Sequence, residues 1–215
     1  MEELTIVQRF AVWALPVLFA ITLHEVAHGW VAKMLGDRTA ERMGRLSLNP
    51  LHHIDPIGTL LVPGVLMILG GFIFGWAKPV PVDFGKLRRP RRDMALVAVA
   101  GPAANLLMAL AWALITRVAH VIDTPFVTVP LSLMGVAGIV INLVLMLLNL
   151  LPIPPLDGGR IAAGLLPPRL AYQFGKVEPY GLIILLLLMM TGWLSSILGL
   201  PLQIMQKLMF GFAGL

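Results

Sequence analysis

The sequence predicts an all-α polytopic membrane protein, with about four transmembrane helices and a re-entrant or β-hairpin membrane segment around residues 56–82. Three observations carry that expectation. Of 215 residues, 58% are hydrophobic and only 13% charged, with mean hydropathy +0.89, whereas soluble domains run at roughly 45–50% apolar and 25% charged. Long runs nearly free of charge recur along the chain, each sufficient for a hydrocarbon core about 30 Å thick. The basic residues gather in two loops between these runs, the pattern of helices oriented by positive charge on the cytoplasmic side. We read one domain over 1–215, with a core of about 10–166 and a C-terminal span of about 180–200.

The first run, Phe10 to Ala32, has Glu25 as its single charged residue and Pro16 as a predicted kink. Glu2, Glu3 and Arg9 precede it, so it does not read as a cleavable signal. The loop from Lys33 to Asp55 holds Lys33, Arg38, Arg42 and Arg45, which places it in the cytoplasm and the N-terminus outside. Pro56 to Ala77 is uncharged, yet the next loop is the most basic of all, with Lys78, Lys86, Arg88, Arg89, Arg91 and Arg92. Two cytoplasmic loops cannot flank one crossing. Gly64, Gly70-Gly71 and Gly75 supply the breaks for a segment that dips in and returns, provided protein covers its backbone. The alternative is a plain span with a basic external loop.

Met94 to Thr116 reads as an outward crossing and Leu131 to Leu151 as the return. Gly101, Ala103 and Ala104 permit close helix contact, and Asn105 can bond to a neighbour. Asn142 and Asn149 share a helix face, as interhelical bonds or as functional groups. Three prolines after Asn149 end that helix. Tyr180 to Leu200 is read as the last crossing, with a tail apolar enough to lie in the interface.

The chemistry starts from His24-Glu25-Val26-Ala27-His28. Four residues turn a helix about 400°, so both imidazoles lie on one side, one turn apart. That spacing grips one zinc ion, with the glutamate beside it as general base. Charged groups inside a membrane run are costly and mark function. The chain has no cysteine, so no thiolate competes for the third ligand. Asp157 is the best carboxylate, on a proline-braced helix end flanked by Gly158 and Gly159, where it would also serve as an N-cap. Asp55, before Pro56, is the runner-up. His52 and His53 read as loop residues. His24 lies nine residues before Lys33, so the metal would sit ~13 Å below the cytoplasmic border. Asn149 or Asn105 would steady an oxyanion. Around Trp76, Lys78 and Pro79, alternate prolines keep 75–82 extended, either as an edge that receives an unwound substrate or as a turn at the membrane border. Nothing pairs the basic residues with base-stacking aromatics, so no nucleic-acid partner is expected.

His24-Glu25-Val26-Ala27-His28 together with Asn149-Leu-Leu-Pro-Ile-Pro-Pro-Leu-Asp157-Gly158-Gly159 resembles the site-2 protease family of intramembrane zinc metalloproteases. Gly75-Trp76-Ala77-Lys78-Pro79 and Gly101-Pro102-Ala103-Ala104-Asn105 are similar to weaker motifs of that family. The resemblance implies one zinc held by His24, His28 and Asp157, Glu25 as base, Asn149 near the substrate carbonyl, and 75–82 as a membrane-embedded strand that receives substrate. It implies a membrane-anchored protein substrate, cut to release a cytoplasmic fragment; the sequence departs from many members in showing no inserted PDZ domain and no CBS-type extension. Two other readings stay open: an ion-handling transporter that uses buried His and Glu, and a silent homologue that keeps the fold. Compact size and missing cysteines point to a prokaryotic membrane.

Overall fold

A computed structural model of the chain describes residues 5–61, 78–122 and 124–215. Helix α1 spans Ile6–Met34. It starts in a capping box: the Thr5 hydroxyl accepts from Gln8 N–H at 3.3 Å, and the Gln8 side chain accepts from Thr5 N–H at 2.9 Å. Gly36, at φ +118°, reverses the chain after α1. A Cβ there would lie 3.2 Å from the Lys86 carbonyl, so glycine answers both the conformation and the close approach. A short turn, α2, covers Thr39–Arg42.

Two long helices complete the centre. Helix α3 runs Pro90–Ile122 and α4 runs Pro125–Asn149. Each opens on proline, whose missing N–H costs nothing in a first turn. Gly138 lets the Trp112 ring lie against α4, and Gly135 admits Thr116. After the proline bend, α5 covers Asp157–Leu165 and α6 Pro168–Gly175. Helices α7, Gly181–Met190, and α8, Trp193–Ala213, finish the chain. A core of Ala109, Trp112, Ala113, Ile139, Leu143, Met146, Met209 and Ala213 binds α3, α4 and α8 together.

Among the described residues there is no strand, and four stretches are long and apolar enough to cross a membrane: Val7–Met34, Pro90–Ile122, Pro125–Asn149 and Pro168–Met190. Large apolar side chains lie on their outer faces, Phe126 being 93% exposed. That surface suits lipid and would be a liability in water. The protein is an all-α polytopic membrane protein.

Two expectations shift. Residues 180–200 do not form one helix, because Gly192, at φ +77°, breaks the chain between α7 and α8. The tail does not lie apart in the interface either. Met209 and Ala213 are buried in the central core, and Arg117 donates to the Phe212 carbonyl at 3.2 Å. Of the proposed re-entrant segment, only Pro56–Leu61, one wide helical turn, and the stretch from Lys78 onward are described. The rest, with Trp76, lies outside the described residues.

Lys78 to Asp83 is extended and is pinned at several points to α1 and the loop that follows it. Lys78 N–H donates to His53 O at 2.9 Å, and Arg45 donates to the carbonyls of Lys78 and Pro79 at 3.0 and 3.3 Å. Asp83 N–H donates to Asp37 Oδ2 at 2.7 Å. Asp37 is fully buried, and its Oδ1 accepts from both Thr39 N–H and Thr39 Oγ1. Burial opposes its ionisation, but the hydrogen bonds from Thr39 and Asp83 outweigh it and hold the carboxyl below the usual range.

Candidate metal centre

His24 and His28 stand one turn apart on α1, their rings nearly perpendicular. Their Nε2 atoms lie 3.1 Å from each other, and each lies 3.2 Å from Asp157 Oδ2. Asp157 is carried by the first turn of α5, whose position is fixed by glycines. A Cβ on Gly158 would fall 2.3 Å from the Leu150 carbonyl, and one on Gly159 would fall 2.5 Å from Pro154 N. The N-cap itself is Leu156, without a side-chain bond. Asp157 therefore spends its carboxylate on the histidines rather than on capping.

The hydrogen bonds behind the rings settle which nitrogen carries the proton. His28 Nδ1 faces the Val97 carbonyl at 2.8 Å, which only accepts. Asn142 Nδ2 donates to the Gly138 carbonyl at 2.8 Å, which turns its oxygen to Asn105 Nδ2 at 2.9 Å. Asn105 Oδ1 is thereby aimed at His24 Nδ1 at 2.5 Å. Both rings carry their proton on Nδ1, leaving two Nε2 lone pairs and a carboxylate oxygen converging on one point.

Three acceptors at that separation repel one another. A proton on one Nε2 satisfies one contact at most, and Asp157 Oδ2 is buried without a hydrogen-bond donor among the described residues. A cation satisfies all three. Two ligand atoms about 2.0 Å from a tetrahedral zinc stand about 3.3 Å apart, close to the 3.1 and 3.2 Å found. The donor set of two imidazoles and a carboxylate is that of a catalytic zinc site with an open fourth position. Gly101 completes the fit. A Cβ there would lie 2.5 Å from both His24 Cε1 and His28 Nε2, so only glycine leaves room for the rings.

The open side faces a cavity of about 290 Å³ lined by Glu25, Pro79, Val80, Val97, Asn149, Asp157 and Arg160 among others. Glu25 Oε2 accepts the Val80 N–H at 2.7 Å. Asn149 lines the cavity and spends one Nδ2 hydrogen on the Leu145 carbonyl at 3.0 Å; among the described residues its second hydrogen meets no acceptor.

The structure thus gathers His24, His28, Asp157, Glu25, Asn149 and Pro79 around one cavity. It sends two expected residues elsewhere. Asn105 is fully buried behind His24, with both polar atoms engaged, so it faces the imidazole and does not line the cavity. Lys78 lines a different, more open cavity with Arg45 and His52, its backbone N–H being tied to the His53 carbonyl. Asp55 caps the turn at Ile57 and Gly58 and is not among the grouped ligands. His53 is buried, with Nε2 on the Ser47 carbonyl. The reading of the sequence missed Asp37 and the Val80 amide. The first has no motif, and the second is backbone, which no side-chain pattern reports.

Comparison with known proteins points to a metalloprotease. Residues 115–192 match the model of peptidase family M50. The chain is 39% identical over 184 residues to YwhC of Bacillus subtilis, provisionally named a zinc metalloprotease, covering 84% of this chain and 81% of that protein. It is 32% identical to Rip2 of Mycolicibacterium smegmatis and 31% identical to Rip2 of Mycobacterium tuberculosis, which carry the same provisional description. Those matches cover 83% and 84% of this chain and 66% and 68% of the relatives. No solved structure matches. A membrane-embedded metalloprotease is the class that the helices and the ligand cluster define. The chain belongs to peptidase family M50, the site-2 type that its motifs resemble.

Proposed function

We propose that the protein is a zinc-dependent endopeptidase that hydrolyses peptide bonds in or near the transmembrane segment of a membrane-anchored protein, the chemistry of regulated intramembrane proteolysis. One observation carries the reading: three acceptors, His24 Nε2 and Asp157 Oδ2 on buried residues and His28 Nε2 on a half-buried one, converge beside a cavity that also holds a carboxylate, Glu25. These three would hold one zinc ion, which when bound polarises a carbonyl and lowers the pKa of a water to about 7.

The remaining steps belong to the chain. The Val80 amide fixes Glu25 through Oε2, leaving Oε1 to take a proton from the attacking water and deliver it to the leaving amine. Asn149 offers its second amide hydrogen to the carbonyl oxygen as charge develops there. Pro79, on the extended wall opposite the ligands, meets the substrate. A helical peptide bond is shielded by its own hydrogen bonds, so the substrate must unwind to enter. The chain acts as one unit, its catalytic core at about 10–166. The bilayer is that of a bacterium, as in the relatives, with the site nearer the cytoplasm.

The test is cleavage of a model membrane helix in proteoliposomes. Wild type cleaves it. Glu25→Gln keeps its zinc and loses about 10²–10⁴-fold in rate. Full cleavage by Glu25→Gln would overturn the assignment of the base.

A further inference from the structure

We infer that Arg160 is a carboxylate-binding group of this site, taking either the carboxylate that hydrolysis leaves on the new C-terminus or an acidic side chain of the substrate. The inference rests on the protease reading and adds a residue that this reading leaves unused.

Arg160 follows Asp157 by three residues on α5, so both project from one face, one turn apart. Both line the cavity. The register is fixed, because Gly158 and Gly159 are wedged against the Leu150–Pro154 backbone and cannot slide. The guanidinium lies over the Phe84 ring at 5.0 Å, so Arg160 joins α5 to the turn that follows the extended segment. Among the described residues that contact is the one partner of its side chain, the backbone N–H donating within the helix start to the Leu156 carbonyl at 3.2 Å. No acidic side chain among the described residues pairs with it, although Arg38 and Lys33 share Glu41 and Lys86 has Asp83.

A half-buried guanidinium stacked on an aromatic face presents its N–H groups at the ring edge in a fixed fork. Of the described residues lining the cavity, Arg160 is the one arginine or lysine, against the carboxylates of Glu25 and Asp157. Zinc at His24, His28 and Asp157 would offset those two charges, so Arg160 still lacks an anion. Hydrolysis supplies one there. The amide bond and one water become a carboxylate on the upstream fragment and an ammonium on the downstream one. A planar, bidentate donor suits a carboxylate better than a neutral carbonyl.

The experiment measures binding in the zinc-loaded full chain in detergent. One pair of fluorescent apolar peptides ends in a free carboxylate or a carboxamide. A second pair, both amidated, carries an internal Glu or Gln. In wild type the acid of at least one pair binds roughly tenfold tighter, as charge-assisted bonds require. In Arg160→Gln that preference falls to within about twofold, and Arg160→Lys keeps part of it. Any pull of zinc on the carboxylate is common to all three proteins and cancels in the comparison. Preference in the first pair identifies the product terminus, and preference in the second identifies a substrate side chain. Equal binding within both pairs by wild type overturns the inference, as does a preference that Arg160→Gln retains in full. Binding needs no turnover, so Glu25→Gln should keep the preference. The inference thus fails or stands apart from the protease reading.

Discussion

The metal corner and the extended segment opposite it are held in different ways. At the corner, three spanning helices and α5 meet around His24, His28 and Asp157. The relay from Gly138 through Asn142 and Asn105 fixes one ring, and Val97 fixes the other. The extended segment has no ladder partner among the described residues and is held by separate bonds from Glu25, Asp37, Arg45 and His53. Both imidazoles at the corner are held from behind. The segment is fixed at scattered points, with backbone left over for the substrate that we propose. Substitutions at the corner should therefore change metal content, and substitutions along the segment should change catalysis with the metal in place.

Gly101→Ala gives the largest expected effect at the corner. The added methyl overlaps both imidazoles, so zinc content measured by atomic emission should fall well below one per chain, and cleavage should fall with it. Asn105→Ala comes next. Loss of a partner that orients a ligand costs about 10–100-fold in metal affinity, read by competition with a fluorescent chelator. Val80→Pro removes the N–H that fixes Glu25 between two prolines that already keep the chain extended. Cleavage should drop roughly tenfold with zinc unchanged. A loss of zinc in this variant would erase the distinction between the two regions.

Asp37→Ala is the smallest. It strands the Asp83 and Thr39 amides and should cost about 1–3 kcal/mol in thermal unfolding, with KM raised and zinc intact. The sign with pH follows from the depressed carboxyl. The Asp37 contribution is present above the ordinary carboxylate pKa, near 4, and is lost as pH falls through its lower folded value. The difference in stability between wild type and Asp37→Ala should therefore be flat from pH 5 to 8 and shrink only in stronger acid.

The corner was legible in the sequence because its information is local. The spacing of His24 and His28 sets one helix face, and the prolines and glycines around Asp157 announce a rigid mount. Asn105 was legible as a polar group needing a partner, but the partner is His24, 81 positions away. Which partner a buried amide finds is decided by helix packing. Asp37 and the Val80 amide were not legible, since each works across a long loop and neither belongs to a pattern. The break at Gly192 was hidden because the apolar run continues through it, and composition does not report a left-handed turn. Arg160 was visible as a residue, but its position over Phe84 needed the fold.

The most direct test counts zinc in purified wild type, Asp157→Ala and Asp55→Ala. We expect one ion per chain in wild type and Asp55→Ala, and near none in Asp157→Ala. Full zinc in Asp157→Ala, or an active wild-type preparation without metal, would contradict the site.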